Sequence, residues 1–496
     1  MNADKVLAEA DDGAGAIRAL MDVAASGRDL GKALKLAEQR AEGCPAARYL
    51  YGLFLYTGTG IHQDRAAAKE CFQLAAGAGC ADAAAVTEEL TRNDQATMDR
   101  LLLLRFRGEQ RDTAACRELF ALYDTGKENG KPGPAKKDHA SAVRWYTVCA
   151  DDGDADAMNT VGYMYLMGKG IDKDKEKAVR YLKDAFEHGS AQAAFRLAQL
   201  YDNGECYTDP DLDRAVDWYQ KSADLGYADA EYALAGVLLM QDSKYFNVKR
   251  ALTWLAKAAD QGHHESEHQL GLMYAYGSNG LRRSPPKAIK LLTAACEGGN
   301  QQAMVDYANL CFEGQALPQD MAAAAKWFQE AAKTYSGVAE YALGCMYGNG
   351  YYFKKDAKES AKWFQEAAEG GEPNSQYALG CYYYEGRGVS KDDHEALVWF
   401  QEAAEQGHPG AMAFLGMFKV TGKAVDQDIA GGLKLLNTAA DNGYPEAQYY
   451  LGKLYKEGIY VAKDMQKARK LLTLAAKQGD PDAAALLDEI KQNRLQ

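Results

Sequence analysis

The segment Ser375–Gly410 reads SQYALGCYYYEGRGVSKDDHEALVWFQEAAEQGHPG, and the one before it, Ala339–Asn374, reads AEYALGCMYGNGYYFKKDAKESAKWFQEAAEGGEPN. Two further copies begin at Ala411 and Ala447, so four lie 36 residues apart. Repetition at this period constrains the fold more than any other feature of the chain. It specifies stacked helix pairs, none of which buries its apolar face alone. It also overrides the several globular domains that 496 residues would otherwise suggest.

Each copy opens on a small anchor residue: Ala47, Ala83, Ala115, Ala157, Ala193, Ala230, Ser266, Ala303, Ala339, Ser375, Ala411 and Ala447, with Ala483 starting a remnant. From Ala157 onward every step is 36 or 37 residues. A first helix is expected from the anchor for about eleven residues, with a small residue five positions on (Gly344, Gly380, Gly416, Gly452) implying close helix contact. It stops at a glycine (Gly350, Gly386, Gly422, Gly458 and equivalents) suited to the left-handed position past a helix end. An Asp then caps the second helix: Asp64, Asp138, Asp174, Asp320, Asp356, Asp392, Asp428 and Asp464. Inside that helix a large side chain recurs (Trp145, Trp218, Trp254, Trp327, Trp363, Trp399) among alanines, and reads as a knob in a socket.

The full pattern, A-x-x-x-L-G-x-x-Y-x-x-G-x-G-V-x-x-D-x-x-x-A-x-x-W-F-x-x-A-A-x-x-G, resembles the Sel-1-like repeat family, related to the tetratricopeptide repeats. The resemblance implies an all-α fold, a right-handed α/α superhelical solenoid of about thirteen helix pairs. It also implies a non-catalytic scaffold or adaptor that binds a partner protein or peptide along a concave surface. A dedicated regulatory or immunity-like subunit of one enzyme is an alternative of the same kind. The expected division is a cap and shortened first repeat at 1–46, repeats at 47–114 with the second degenerate, and a repeat with a long loop at 115–156. Nine regular repeats follow at 157–482, then a cap at 483–496. Some secreted relatives of this repeat class bridge the two helices of each unit with a regular cysteine pair. The ten cysteines here do not recur as such pairs, and are expected as reduced thiols in a cytoplasmic protein.

The net charge of −13 and pI near 5.3 argue against a nucleic-acid or anionic-membrane binder. No run of 18 apolar residues occurs, and MNADKVLAEADDG lacks the basic-then-apolar pattern of a leader. The polar end DEIKQNRLQ reads as a cap that favours a monomer.

Three places break the phase, the slightest being one-residue loop variants at Asp209–Asp213 and Leu281–Pro286. Residues 84–114 lack the Gly and Trp marks and gather Arg100, Arg105, Arg107 and Arg111. They read either as a basic docking spot for an acidic partner or as a degenerate helix pair with solvated arginines. The loop 126–138, GKENGKPGPAKKD, is six residues longer than its counterparts and reads as an exposed, mobile insertion.

One stretch carries a catalytic signature. His264-Glu265-Ser266-Glu267-His268 matches H-E-x-x-H, in which two histidines one helical turn apart hold zinc and the glutamate activates water. A zinc metallopeptidase using His264, Glu265 and His268 is therefore the rival reading. The repeat phase explains the same residues as ordinary positions, with Ser266 as anchor, and no third ligand stands out, so no cofactor is expected. The G-x-G turns follow helices and not strands, and read as caps and not phosphate cradles.

A binding site, if present, belongs on the wall of first helices. The third, sixth and tenth residues after the anchor lie opposite the core stripe. They give Arg196, Gln199 and Asn203; Gln269, Leu272 and Tyr276; Asp306, Asn309 and Glu313; then Cys345 with Asn349, and Cys381 with Glu385. Amides, acids and aromatics in that arrangement suit an extended peptide or a partner helix.

Overall fold

A computed structural model of the chain describes residues 17–18, 21, 30–128, 131–204 and 209–492. Residues up to Trp254 and residues from Leu255 form two compact units. Each is an α/α solenoid of antiparallel helix pairs, and 26 helices occur among the described residues. The pair Pro373–Glu385 and Asp393–Glu405 is representative.

Its first helix begins two residues before the anchor Ser375. The two extra residues are set by a cap that the repeat phase does not mark: the Glu372 carboxylate accepts from the Asn374 and Ser375 amides. In other units His263 and His408 do the same with a ring nitrogen, and Asp154, Ser190 and Asn300 with an oxygen. Pro373 fits behind it because the first helical amide needs no acceptor. Gly386 then ends the helix at φ 75°, and its amide closes onto the Tyr382 carbonyl. Asp392 accepts from the His394 and Glu395 amides to start the second helix. Every Asp expected as a cap accepts such a bond, each contributing about 1 kcal/mol.

The close contact inside a pair differs from the expected knob. A Cβ on Gly380 would stand 2.7 Å from the Phe400 ring, one on Gly344 2.5 Å from Phe364, and one on Gly452 2.7 Å from Leu472. The ring that enters the glycine notch is thus the residue after the Trp position, and Phe400 is fully buried. Trp363 and Trp399 are half-buried beside it, whereas Trp145 and Trp327 are buried. Consecutive helical residues diverge by about 100°, so Trp and Phe cannot share one socket. Successive units are joined by glutamine amides at the surface. Gln406 Nε2 donates to Gln376 Oε1 (2.8 Å) and to the Gly371 carbonyl of the preceding unit (3.1 Å). Gln478 repeats this with Gln448 and Gly443.

The off-phase stretch is a helix pair, Ala81–Arg92 and Gln95–Glu109, joined through Asn93 and Asp94 alone. Its second helix lies against Pro45–Thr57, where the Phe54 and Phe106 rings meet edge to face at 5.2 Å. That contact buries Leu50 and Leu53, which stand at positions left outward in later units.

The stretch is the helix pair of the second reading, with Arg100 and Arg107 about half exposed, but Arg105 departs from it. Arg105 is fully buried: it donates to both Glu89 oxygens (3.1 and 3.3 Å), to the Tyr123 hydroxyl and to Tyr49 (3.5 Å). Arg100 pairs with Glu118 (2.5 Å) and Glu128 (2.6 Å), and Arg107 with Asp112 (2.5 Å). These partners absorb the charge that a docking spot would offer. A second buried carboxylate, Glu109, is gripped by Arg18 (2.7 Å) and Arg144, and Arg144 also reaches Asp82.

The long loop is anchored instead of free. Lys127–Glu128 and Lys131–Pro132 form a short antiparallel ribbon, Ala135 is buried, and the Asn93 side chain donates to the Pro134 carbonyl at 2.8 Å. Residues 129–130 lie outside the described residues. The two larger departures from phase therefore form one assembly.

Candidate functional site

In the unit from Leu255 onward, the first helices Gln301–Glu313, Gly337–Asn349, Pro373–Glu385, Pro409–Thr421 and Pro445–Glu457 turn one row of side chains away from the core. The anchors lock the opposite face, with Ala303, Ala339, Ser375, Ala411 and Ala447 fully buried.

Two cavities open along this row. The larger, about 440 Å³, lies between Gln301–Glu313 and Gly337–Asn349, with Asn309, Phe312 and Glu313 on one side and Val338, Tyr341, Ala342 and Cys345 on the other. Phe328 forms its floor from a second helix, and Asn374 closes it from the next unit. The smaller, about 230 Å³, lies between Pro409–Thr421 and Pro445–Glu457 and includes Met417, Tyr450, Lys453 and Glu457. Counting from the anchors therefore places Asn309, Glu313 and Cys345 together. It misses Val338, which is exposed at the start of its helix, and Phe328 and Asn374, which come from other helices.

The remaining expected wall residues do not join a cavity. Asn349 turns back to donate to the Cys345 carbonyl (3.0 Å), and Glu385 is exposed, 3.9 Å from Arg387. Asp306 is taken by His268 (2.9 Å) and Gln302 (3.0 Å). Tyr276 stands in solvent, and the Gln269 amide oxygen is buried without a partner. In the other unit, the Arg196 guanidinium lies 4.3 Å over the Tyr163 ring, where burial lowers its pKa. Gln199 and Asn203 are exposed beyond it.

The row holds no activated nucleophile among its cysteines. Burial pushes the Cys345 thiol up, and the Cys381 thiol up to about 12, so both are protonated at neutral pH. The described cysteines are free thiols; Cys206 lies outside the described residues.

The H-E-x-x-H residues do not form the expected centre. His264 Nδ1 faces Glu267 (2.9 Å), a residue on its own helix, while His268 Nε2 faces Asp306 on the next first helix (2.9 Å). His264 is also wedged against Gly298, where a Cβ would stand 2.1 Å from the ring. Among the described residues no three His, Cys, Asp or Glu side chains are grouped to hold a metal. The structure thus gives the metallopeptidase reading no support, because each imidazole is committed to its own carboxylate.

The Sel1 repeat pattern matches eleven stretches: 45–80, 119–154, 155–190, 191–227, 228–263, 264–300, 301–333, 337–372, 373–408, 409–444 and 445–480. The chain belongs to the Sel1 repeat family. The gap between the first two stretches coincides with the tightly joined helix pair Ala81–Glu109. A crystal structure of a protective antigen of uropathogenic Escherichia coli strains displaying an SLR fold superposes with a TM-score of 0.63 at 24% identity. That match spans 93% of this chain and 91% of that one, and shares the fold. Among curated proteins, the chain is 31% identical over 108 residues to a chitin synthase regulator of Saccharomyces cerevisiae. It is 25% identical over 222 residues to chitin synthase regulatory factor 3 of Schizosaccharomyces pombe. The matches take in 21% and 43% of this Sel1 repeat chain, and 14% and 24% of those proteins. No helix among the described residues is long and apolar enough to cross a membrane.

Proposed function

We propose that this Sel1 repeat protein is a non-catalytic scaffold that holds a partner protein along the first-helix row between residues 301 and 457. The observation that carries this reading is the placement of both cavities on outward positions of that row. A docked polypeptide supplies what such cavities lack, namely an apolar side chain in each and main-chain groups for the flanking amides. Regulation of a single enzyme is the second reading, favoured by the two fungal relatives, both named as regulators. A cytoplasmic monomer fits both.

Photo-crosslinking tests the proposal. With benzoylphenylalanine at Val338 or Met417, one defined partner is expected to be captured, and at the second-helix position Glu405 none. Equal capture at all three positions would sink it.

A further inference from the structure

The larger cavity has a chemistry of its own. Its apolar floor and wall are Phe328, Val338, Ala342 and Phe312, and the one charge among its lining residues is the exposed carboxylate of Glu313. No Lys, Arg or His lines it. Along the row, the counted outward positions carry Asp306, Glu313, Glu385 and Glu457 against Lys453 alone. A volume of about 440 Å³ lies within the range of ligand-binding clefts, and suits a large apolar side chain together with part of its backbone.

The rim points the same way. Tyr351 packs edge-on against Phe312 at 5.5 Å, and beside it Tyr352 is exposed at φ 62°. Equivalent turns place Gly170 and Gly388 at that left-handed position, so a tyrosine there bears backbone strain while leaving an aromatic ring in solvent. Tyr335 is 91% exposed just before the helix that carries Val338. Exposed rings beside the single unpaired carboxylate of Glu313 form a surface for a cation, through ion pairing and through the ring faces.

We infer that the cavity between Gln301–Glu313 and Gly337–Asn349 receives a large apolar side chain of an extended, basic peptide segment of the partner, with an adjacent Lys or Arg paired to Glu313. Asn309 and Asn374 then meet main-chain amides on either side. This rests on the scaffold reading and specifies the partner's chemistry.

The test displays a random library of peptides about twelve residues long against the immobilised full chain. Enriched peptides are expected to share an apolar residue flanked by Lys or Arg, and to bind more weakly as salt rises from about 0.05 to about 0.5 M. Glu313→Lys and Ala342→Phe should each weaken them at least about tenfold, while Glu405→Lys leaves them unchanged. Glu313→Lys is an exposed substitution, so it stays informative if the cavity-filling variant misfolds. Enrichment of acidic peptides, no enrichment, or indifference to Glu313→Lys would overturn the inference. Peptides lost on Met417→Asp but kept in Glu313→Lys would do so while leaving the scaffold reading standing. Failure of that broader reading shows separately, in the photo-crosslinks.

Discussion

The region around residues 81–151 and the regular units from 301 to 477 both use glycine notches, as where a Cβ on Gly108 would stand 2.6 Å from the Trp145 ring, but the first adds buried ions. In the regular units a glycine notch accepts a ring or a leucine, as at Gly380 with Phe400 and Gly452 with Leu472. Around 81–151 the centre of the stack holds ions: Arg105 with Glu89, and Glu109 between Arg18 and Arg144. Apolar notches are insensitive to pH and salt, and each depends on shape alone. A buried ion network is directional, so it fits a junction where the turn is short and the register changes. Its weakness is that removing one member strands another charge away from water.

The largest expected effect follows from that weakness. Arg105→Met should cost about 3–5 kcal/mol by leaving Glu89 buried and unpaired, and adding Glu89→Met should recover most of it. Hydrogen exchange, followed peptide by peptide, should show the loss in 45–151 and leave 301–477 protected. A loss spread evenly over the chain would break the comparison. In the regular units, Phe364→Ala should cost a similar 3–5 kcal/mol by opening a cavity, without dependence on salt. Gly380→Ala should cost about 1–3 kcal/mol, since its Cβ would press on the Phe400 ring. Denaturant unfolding of the three variants at low and high salt checks both.

Acid should separate the regions next. Burial alone would raise the Glu109 carboxyl, but Arg144 and Arg18 hold it below the usual carboxylate range. Its contribution is complete above the unfolded value of about 4.3 and is lost as pH falls through the lower native one. Glu340 runs the other way: burial, then Glu366, raises its pKa, so its destabilisation is full above the native value and absent below the unfolded one. Exchange at falling pH should therefore open 81–151 before 337–369. The smallest effect refines this. Glu340→Gln, which installs the residue that stands at Gln376 and Gln448, should stabilise by less than about 1 kcal/mol at pH 7, with the gain vanishing in acid.

Much of the regular half was legible because its signals are local. Gly386 ends a helix and Asp392 starts one through bonds within a few residues, and counting from Ala303 and Ala339 placed Asn309, Glu313 and Cys345 on one wall. The misses are long-range. Arg105 reads as a surface residue until Glu89, Tyr49 and Tyr123 converge on it, and nothing in GKENGKPGPAKKD announces that Pro134 will meet Asn93. Trp363 and Phe364 are neighbours in sequence, and the depth of the Gly344 notch, not residue size, decides which one enters it. Phe328 and Asn374 reach the larger cavity from other helices, where a count along one helix does not look.

The second glycine of the turn has a mechanical consequence. A Cβ on Gly388 would lie 2.0 Å from the Ala357 carbonyl oxygen, and one on Gly170 2.3 Å from that of His139, so these turns are clamped onto the preceding unit's second helix. A side chain at Tyr352 or Tyr460 leaves no room for an equally close approach, whereas the turn at Ala424 still packs on the preceding pair, with Lys423 2.8 Å from Asp393. Under tension or bending the stack should behave as stiff segments with compliant joints, and two of the joints fall beside the cavities where a guest would pull.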